Sequence, residues 1–304
     1  MNTNFFVFLV CFIFSLYALY AYASGAYAAE SAWESNADRP VMNDNLQYHI
    51  HCKSGDISKY VLLPGDPGRV KLIADEWDES RFIASHREYT TYSGKYSGVP
   101  ITACSTGIGG PGASIALEEL AELGADTFIR IGTCGAIQEN INCGDLIICS
   151  GAMRQDGTSD EYIDKTYPAI ANHEIILALI EACERLGKTY HVGISCSTSS
   201  FYCGQSRPGF KGYTQSFTEN KIRDLQAAGV TNFEMEAATI FTLAGLYGMR
   251  AGAIFTVVAD RNKNQFVNKG TDDSIQAANL AMKILADWDK LRGTKKFFYP
   301  GLTK

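Results

Sequence analysis

Pro100 to Gly132 reads PITACSTGIGGPGASIALEELAELGADTFIRIG. PITACS (100–105) is a short apolar run of strand character, and GIGGPG (107–112) is a glycine-rich turn. Ala113–Leu123 carries apolar residues at helical spacing, and DTFIRIG (126–132) returns to an apolar strand. A strand, a glycine turn, a helix and a second strand make one unit of an α/β fold with parallel strands.

The same alternation extends in both directions. Upstream, YVLLP (60–64) predicts a buried strand, followed by a GDPGR turn and a helix beginning near Val70. Downstream, DLIICSG (145–151), YHVGISC (190–196) and RAGAIFTVVAD (250–260) predict strands. Helices are expected at His173–Leu186, Met235–Leu246 and Ser274–Leu291. Strands that are apolar almost throughout are covered on both faces. The stretch RFIASHREYTTYSGKYSGV (81–99) breaks the alternation and predicts consecutive antiparallel strands joined by glycine turns. No Pro/Ser/Gly linker and no internal repeat interrupts the pattern. The expected fold class is therefore α/β, a single domain with a central mixed β-sheet flanked by helices.

Composition sets the limits on function. Of 304 residues, 46% are hydrophobic and 20% charged, which excludes a disordered chain and a small disulfide scaffold. The formal net charge is −6 and no basic run occurs, so nucleic acid is not an expected partner. An anion site must then be a small pocket with a few positive groups.

The N-terminus differs in kind. No charged side chain precedes Glu30, and Phe5 to Ala23 is a 19-residue run interrupted only by Ser15 and three tyrosines. Such a run predicts a signal peptide or an uncleaved membrane anchor, so residues 1–45 are set apart as leader and linker and 46–304 as the folded domain. A membrane is a partner only if the leader is retained as an anchor. The nine cysteines include no C-x-x-C pair, and several lie inside apolar strands, which predicts buried free thiols and no structural zinc. The chain also has no N-x-S/T acceptor site. Cysteine usage thus points to the cytoplasm and the leader to secretion.

Several groups carry potential chemistry. GIGGPG half fits a dinucleotide fingerprint, but Pro111 opens the helix and no acidic residue ends a following strand, so a nicotinamide site is not expected. Arg69, Arg87 and Arg130 stand beside glycines at strand ends, where a planar guanidinium and free backbone N–H groups suit phosphate. In FEMEAA (233–238), Glu234 and Glu236 either complement a helix N-terminus or accept bonds from vicinal sugar hydroxyls. In FYCGQSR (201–207), Phe201, Gln205 and Arg207 can stack on a flat base and grip its polar edge.

In chain order, LLPGDPGRV, ASHREYTTYSG, STGIGGPGASIALEELAELGADTFIRIGTCGAI, FYCGQSR and AGVTNFEMEAATIF resemble the nucleoside phosphorylase family, and most closely its uridine-cleaving members. The resemblance spans roughly residues 48–262. It implies reversible phosphorolysis, with nucleoside and inorganic phosphate giving free base and ribose 1-phosphate, without metal or organic cofactor. It also implies assembly from homodimers, often into a hexamer.

Carried over residue by residue, Gly65, Arg69, Arg130 and Thr133 hold phosphate, and Arg87 completes that site from the neighbouring subunit. Met235 and Glu236 hold the ribose hydroxyls, and His49 reaches the 5′-hydroxyl across the same interface. Phe201, Gln205 and Arg207 bind uracil, and Arg261 closes over it. Arg130, Arg207, Gln205 and Glu236 are the expected catalytic set.

Asp260 departs from the uridine-cleaving pattern, which commonly has an uncharged residue there. Purine-cleaving members carry an aspartate near this place as general acid to the base, which keeps a purine or broad-specificity enzyme as an alternative. Gly112 stands where some members have a serine in a potassium site, so no potassium is expected. Pro208–Phe217 matches no family segment securely. A non-enzymatic homologue is the remaining alternative, though it would have no need to keep both arginine sets. A nucleosidase that uses water would not need the three phosphate arginines.

Overall fold

A computed structural model describes residues 35–267 and 270–303 of the chain. The apolar run expected as a leader, Phe5 to Ala23, lies outside the described residues. Among the described residues no helix is long and apolar enough to cross a membrane. Residues 35–45 carry the short strand Val41–Met42 and a 3₁₀ turn at Asn43–Asn45. From Leu46 onward the chain forms a separate compact body.

Within that body β1 spans Tyr60–Pro64 and α1 Pro67–Ala74. The strands β2 (Glu79–His86), β3 (Tyr89–Tyr96) and β4 (Val99–Cys104) follow, and α2 covers Gly110–Glu122. Next come β5 (Thr127–Ala136), β6 (Leu146–Gln155), α3 (Thr158–Tyr162) and β7 (Ala169–Ile170). The series continues with α4 (His173–Leu186), β8 (Tyr190–Thr198), α5 (Thr218–Ala227) and β9 (Val230–Glu234). It ends with α6 (Ala237–Leu246), β10 (Arg250–Asp260), β11 (Gln265–Phe266) and α7 (Thr271–Arg292).

The sheet runs β11-β10-β6-β8-β9-β5-β1-β4-β3-β2, with β7 beside β6. It is mixed, as the sequence indicates: β1 is parallel to β5, while β2, β3 and β4 form the antiparallel excursion. One pairing is not visible from the strand pattern. β10 lies parallel to β5 along its whole length, from Arg250 opposite Thr127 to Asp260 opposite Ala136, and also antiparallel to β6. The strands β5, β10, β6, β8 and β9 therefore close on themselves into a small barrel, and β1, β4, β3 and β2 extend it as an open sheet.

Alternation within the strands sends side chains to two cores. Val61, Leu63 and Phe128 pack against the buried faces of α2 and α6. Leu62, Ile129 and Ile131 pack against α1, α4 and α7. Both faces of the central strands are thus covered, which is why they read as unbroken apolar runs. The helices carry their own punctuation: Asn172 caps α4 by accepting from Glu174 N at 3.0 Å, and Gly187 ends it at φ 62°.

A charged cluster ties the two ends of the domain together. Asp289 on α7 accepts from Tyr60 Oη (2.6 Å), Arg250 Nη1 and Nη2 (2.9 and 2.7 Å) and Arg292 Nη2 (2.8 Å). Burial alone would raise the Asp289 carboxyl, but the bonds from Arg250 and Tyr60 outweigh it and bring it from 3.8 to about 2. A depressed carboxylate adds stability above its unfolded pKa and loses it as pH falls through the folded one. Asp289→Asn should therefore cost about 1–2 kcal/mol at pH 7, allowing for solvent screening. That difference should shrink as pH falls from about 4 to about 2. Urea denaturation of both proteins at pH 7 and pH 3 checks this, and a pH-independent difference would refute it.

Eight described cysteines are free, six of them buried. Burial pushes the Cys104 and Cys149 thiols up to about 12, so they behave as small apolar side chains.

Candidate active site

A cavity of about 1060 Å³ opens where β1, β8, β9 and β10 end, beside the second half of β5. Open α/β sheets place ligands at such carboxyl ends. Of the residues expected from the sequence, Gly65, Arg69, Arg130, Thr133, Phe201, Gln205, Arg207, Met235, Glu236 and Arg261 all line it.

One end is strongly positive. Asp66 caps α1 through Gly68 N (2.9 Å), which fixes the turn carrying Arg69. Arg69 Nη1 donates to the carbonyl of Ile131 at 3.3 Å, which lays its guanidinium along β5. Burial lowers its pKa, and the nearby charge of Arg130 adds to that against the opposing pull of Asp66. Arg130 itself is 5% exposed. Its Nη2 donates to Glu236 Oε2 and its Nε lies 3.6 Å from Glu234 Oε2, while Nη1 has no hydrogen-bond partner among the described residues. A buried guanidinium donor left over in this way fits an anion. The glycine turn beside them allows close approach: Gly107 adopts φ +68°, and a Cβ on Gly112 would lie 2.3 Å from the carbonyl of Thr106.

The two glutamates of FEMEAA divide the roles that the sequence leaves open between them. Glu234 ends β9, and its Oε2 accepts from Glu236 N (2.8 Å) and Ala237 N (2.9 Å), capping α6. Its other oxygen is held by Ser197 Oγ. Both glutamates line the cavity, and Glu236 is the one that accepts from Gly109 N at 2.5 Å and from Arg130. Burial raises its pKa, Arg130 pulls it back, and Glu234 adds to the rise.

The far end is aromatic and amide-lined. Arg207 stacks 3.9 Å over the Phe201 ring and donates to the Phe201 carbonyl (2.9 Å) and to Gln205 Oε1. Gln205 Nε2 donates to Thr198 Oγ1 at 3.2 Å, so the amide orientation is set from both sides. Burial first, then the Arg261 charge, lowers Arg207 to about 10. Arg261 donates to the carbonyls of Gln205 (2.8 Å) and Ser206 (3.3 Å), clamping the loop against β10.

His49 and Arg87 are not brought to the cavity. Glu119 on α2 accepts from His49 N (3.0 Å), Ile50 N (2.8 Å) and the His49 ring (2.6 Å). His86 Nδ1 lies 3.0 Å from the His49 carbonyl and its ring stacks 3.8 Å from that of His51. Arg87 follows in the β2–β3 turn, exposed, at φ 54°. The two form one edge of the molecule.

Sequence reasoning missed part of the rim. Ile108 and Phe266 line the mouth although 81% and 73% exposed. The exposed apolar side chain in GIGGPG was the available signal for Ile108. Phe266 depends on the β10–β11 hairpin, which no pattern announces. Pro208–Phe217 forms an exposed segment with only a short 3₁₀ turn at Phe210–Gly212. Among the described residues no group of three or more His, Cys, Asp or Glu side chains is placed to hold a metal ion.

Residues 59–287 match the model of the phosphorylase superfamily. The chain is 56% identical over 269 residues to a uridine phosphorylase of Thermococcus kodakarensis, covering 88% of this chain and 97% of that protein. It is 40% identical over 249 residues to the uridine phosphorylase of Escherichia coli, covering 81% and 98%. A guanosine phosphorylase of Halorubrum lacusprofundi is 40% identical over 226 residues, covering 74% and 88%. The chain belongs to the phosphorylase superfamily.

Proposed function

We propose that this protein catalyses the reversible phosphorolysis of uridine, uridine and phosphate giving uracil and ribose 1-phosphate. The observation that carries the mechanism is the buried Arg130–Glu236 pair, which joins the cationic end of the cavity to its carboxylate. Phosphate lies on Arg69, Arg130, Thr133 and the Gly65 turn. The ribose hydroxyls lie on Glu236 and Met235, directly beside it. The base stacks on Phe201 with its polar edge on Gln205 and Arg207, under Arg261.

Breaking the glycosidic bond develops positive charge on the sugar and negative charge on the departing base. The phosphate dianion faces the first and then bonds to the anomeric carbon. Arg207 and Gln205 hold the second. Fixed charges aimed at both ends act without reorganisation, so electrostatic stabilisation and positioning supply most of the rate. The reaction is written with phosphate as co-substrate and without metal or organic cofactor. Arg87 and His49, displaced to one edge, serve the cavity of a second copy, so the working unit is at least a homodimer.

The relationship to a guanosine phosphorylase favours testing a purine reading beside this one. Base release from uridine, thymidine, inosine and guanosine is measured with and without phosphate. Uracil release that needs phosphate and exceeds purine release is expected. Equal release without phosphate would sink phosphorolysis, and faster purine cleavage would move the substrate.

A further inference from the structure

Asp260 is the residue whose type leaves the base specificity open, and its surroundings resolve what it does. We propose that Asp260 is a positioning residue that locks the turn between β10 and β11 and thereby sets Arg261 over the base end of the cavity. This rests on uridine phosphorolysis as the reaction.

The carboxylate is 2% exposed, and it is fully engaged by its own turn. Oδ1 accepts from Asn262 N and Lys263 N, both at 3.0 Å, and Oδ2 lies 3.1 Å from Lys263 Nζ. Burial would raise its pKa, but the bonds and charge of Lys263, with Asn262 N, outweigh it and hold the group below the usual carboxylate range. A carboxylate that accepts three donors and stays ionised has no proton to give a departing base.

The turn it locks is tied on both flanks. Lys263 Nζ donates to Asn142 Oδ1 (2.6 Å), and Gln226 Nε2 donates to Asn262 Oδ1 (2.6 Å). Arg261 sits between these anchors, its N–H on the Ala136 carbonyl (2.9 Å) and its guanidinium on the carbonyls of Gln205 and Ser206. Release of the turn therefore frees the arginine that holds the Gln205–Arg207 loop in place. The cost falls on base binding in ground and transition states alike, which raises KM more than it lowers kcat.

The test uses steady-state kinetics of the full chain with uridine and with inosine at saturating phosphate. Phosphate-dependent uracil release by the unmutated protein is measured first and tests the reaction on its own. Asp260→Ala should raise the uridine KM about tenfold with kcat within about threefold. Asp260→Asn keeps Oδ1 as acceptor for both backbone N–H groups and should stay within about threefold of the parent KM. Lys263→Ala, which keeps the carboxylate, should raise KM about twofold. In an Arg261→Ala background Asp260→Ala should add nothing further, since both act through one group. The proposal is overturned if Asp260→Asn impairs KM as much as Asp260→Ala, or if the two alanine changes are additive. A loss of inosine cleavage of about a hundredfold in Asp260→Asn, with uridine cleavage intact, would instead mark a proton donor.

Discussion

Arg130→Ala is expected to lower kcat/KM for phosphate and uridine by about a thousandfold or more. The side chain keeps Nη1 unpaired, pairs Nε with Glu234 and uses Nη2 to hold Glu236, so its removal weakens phosphate and ribose positioning together. Glu236 would also be left buried without its partner, and breaking such a pair costs about 3–5 kcal/mol. A change in activity must therefore be separated from a change in folding. Arg130→Lys provides that separation. The ammonium keeps the charge beside Glu236, so stability should return most of the way, but it lacks the planar fork that reaches phosphate and carboxylate at once. Kinetics of Arg130→Lys should stay about a hundredfold or more below the parent while its unfolding midpoint approaches it. A folded Arg130→Ala protein with near-parent turnover would show that phosphate binds elsewhere.

The comparison of sequence with structure divides along physical lines. Elements whose side chains alternate between two apolar cores, such as Tyr60–Pro64 and Arg250–Asp260, are legible because burial on both faces leaves an unbroken apolar run. Val230–Glu234 is not, although wholly buried, because its core residues are polar. Asn232 is satisfied by Ser195 Oγ (2.9 Å) and Thr231 Oγ1 (2.7 Å), bonds that only the folded neighbours supply. In FEMEAA, two glutamates two residues apart are chemically alike in sequence. The end of β9 alone decides that Glu234 caps α6 while Glu236 takes Arg130 and Gly109 N. The barrel closure between β5 and β10 joins residues more than a hundred positions apart, so no local pattern could announce it. Asp260 shows the same limit in reverse: its residue type suggests acid chemistry, and three donors within its own turn decide otherwise.

The placement of Arg87 and His49 on an edge of the molecule leads to a second expected result. Arg87→Ala and Arg130→Ala, each assayed alone, should both be nearly inactive, yet a mixture unfolded and refolded together should recover activity. If the partner supplies Arg87, each cavity of a symmetric dimer has its own Arg130 and the partner's Arg87. A mixed dimer then has one cavity that lacks both arginines and one that lacks neither. Random pairing of equal amounts makes half of the dimers mixed, so about a quarter of the parent activity should return. The recovered sites carry an unaltered set of side chains, so their KM values should match those of the parent protein, which distinguishes restored sites from partial function of either variant. If Arg87 served the cavity of its own subunit, every cavity in the mixture would lack one arginine and activity would not rise above the mean of the two variants. The positions of the two groups favour the first outcome. Arg87 occupies an exposed hairpin turn at φ 54°, and His49, held by Glu119 and by the His86 contact, lies at the same edge.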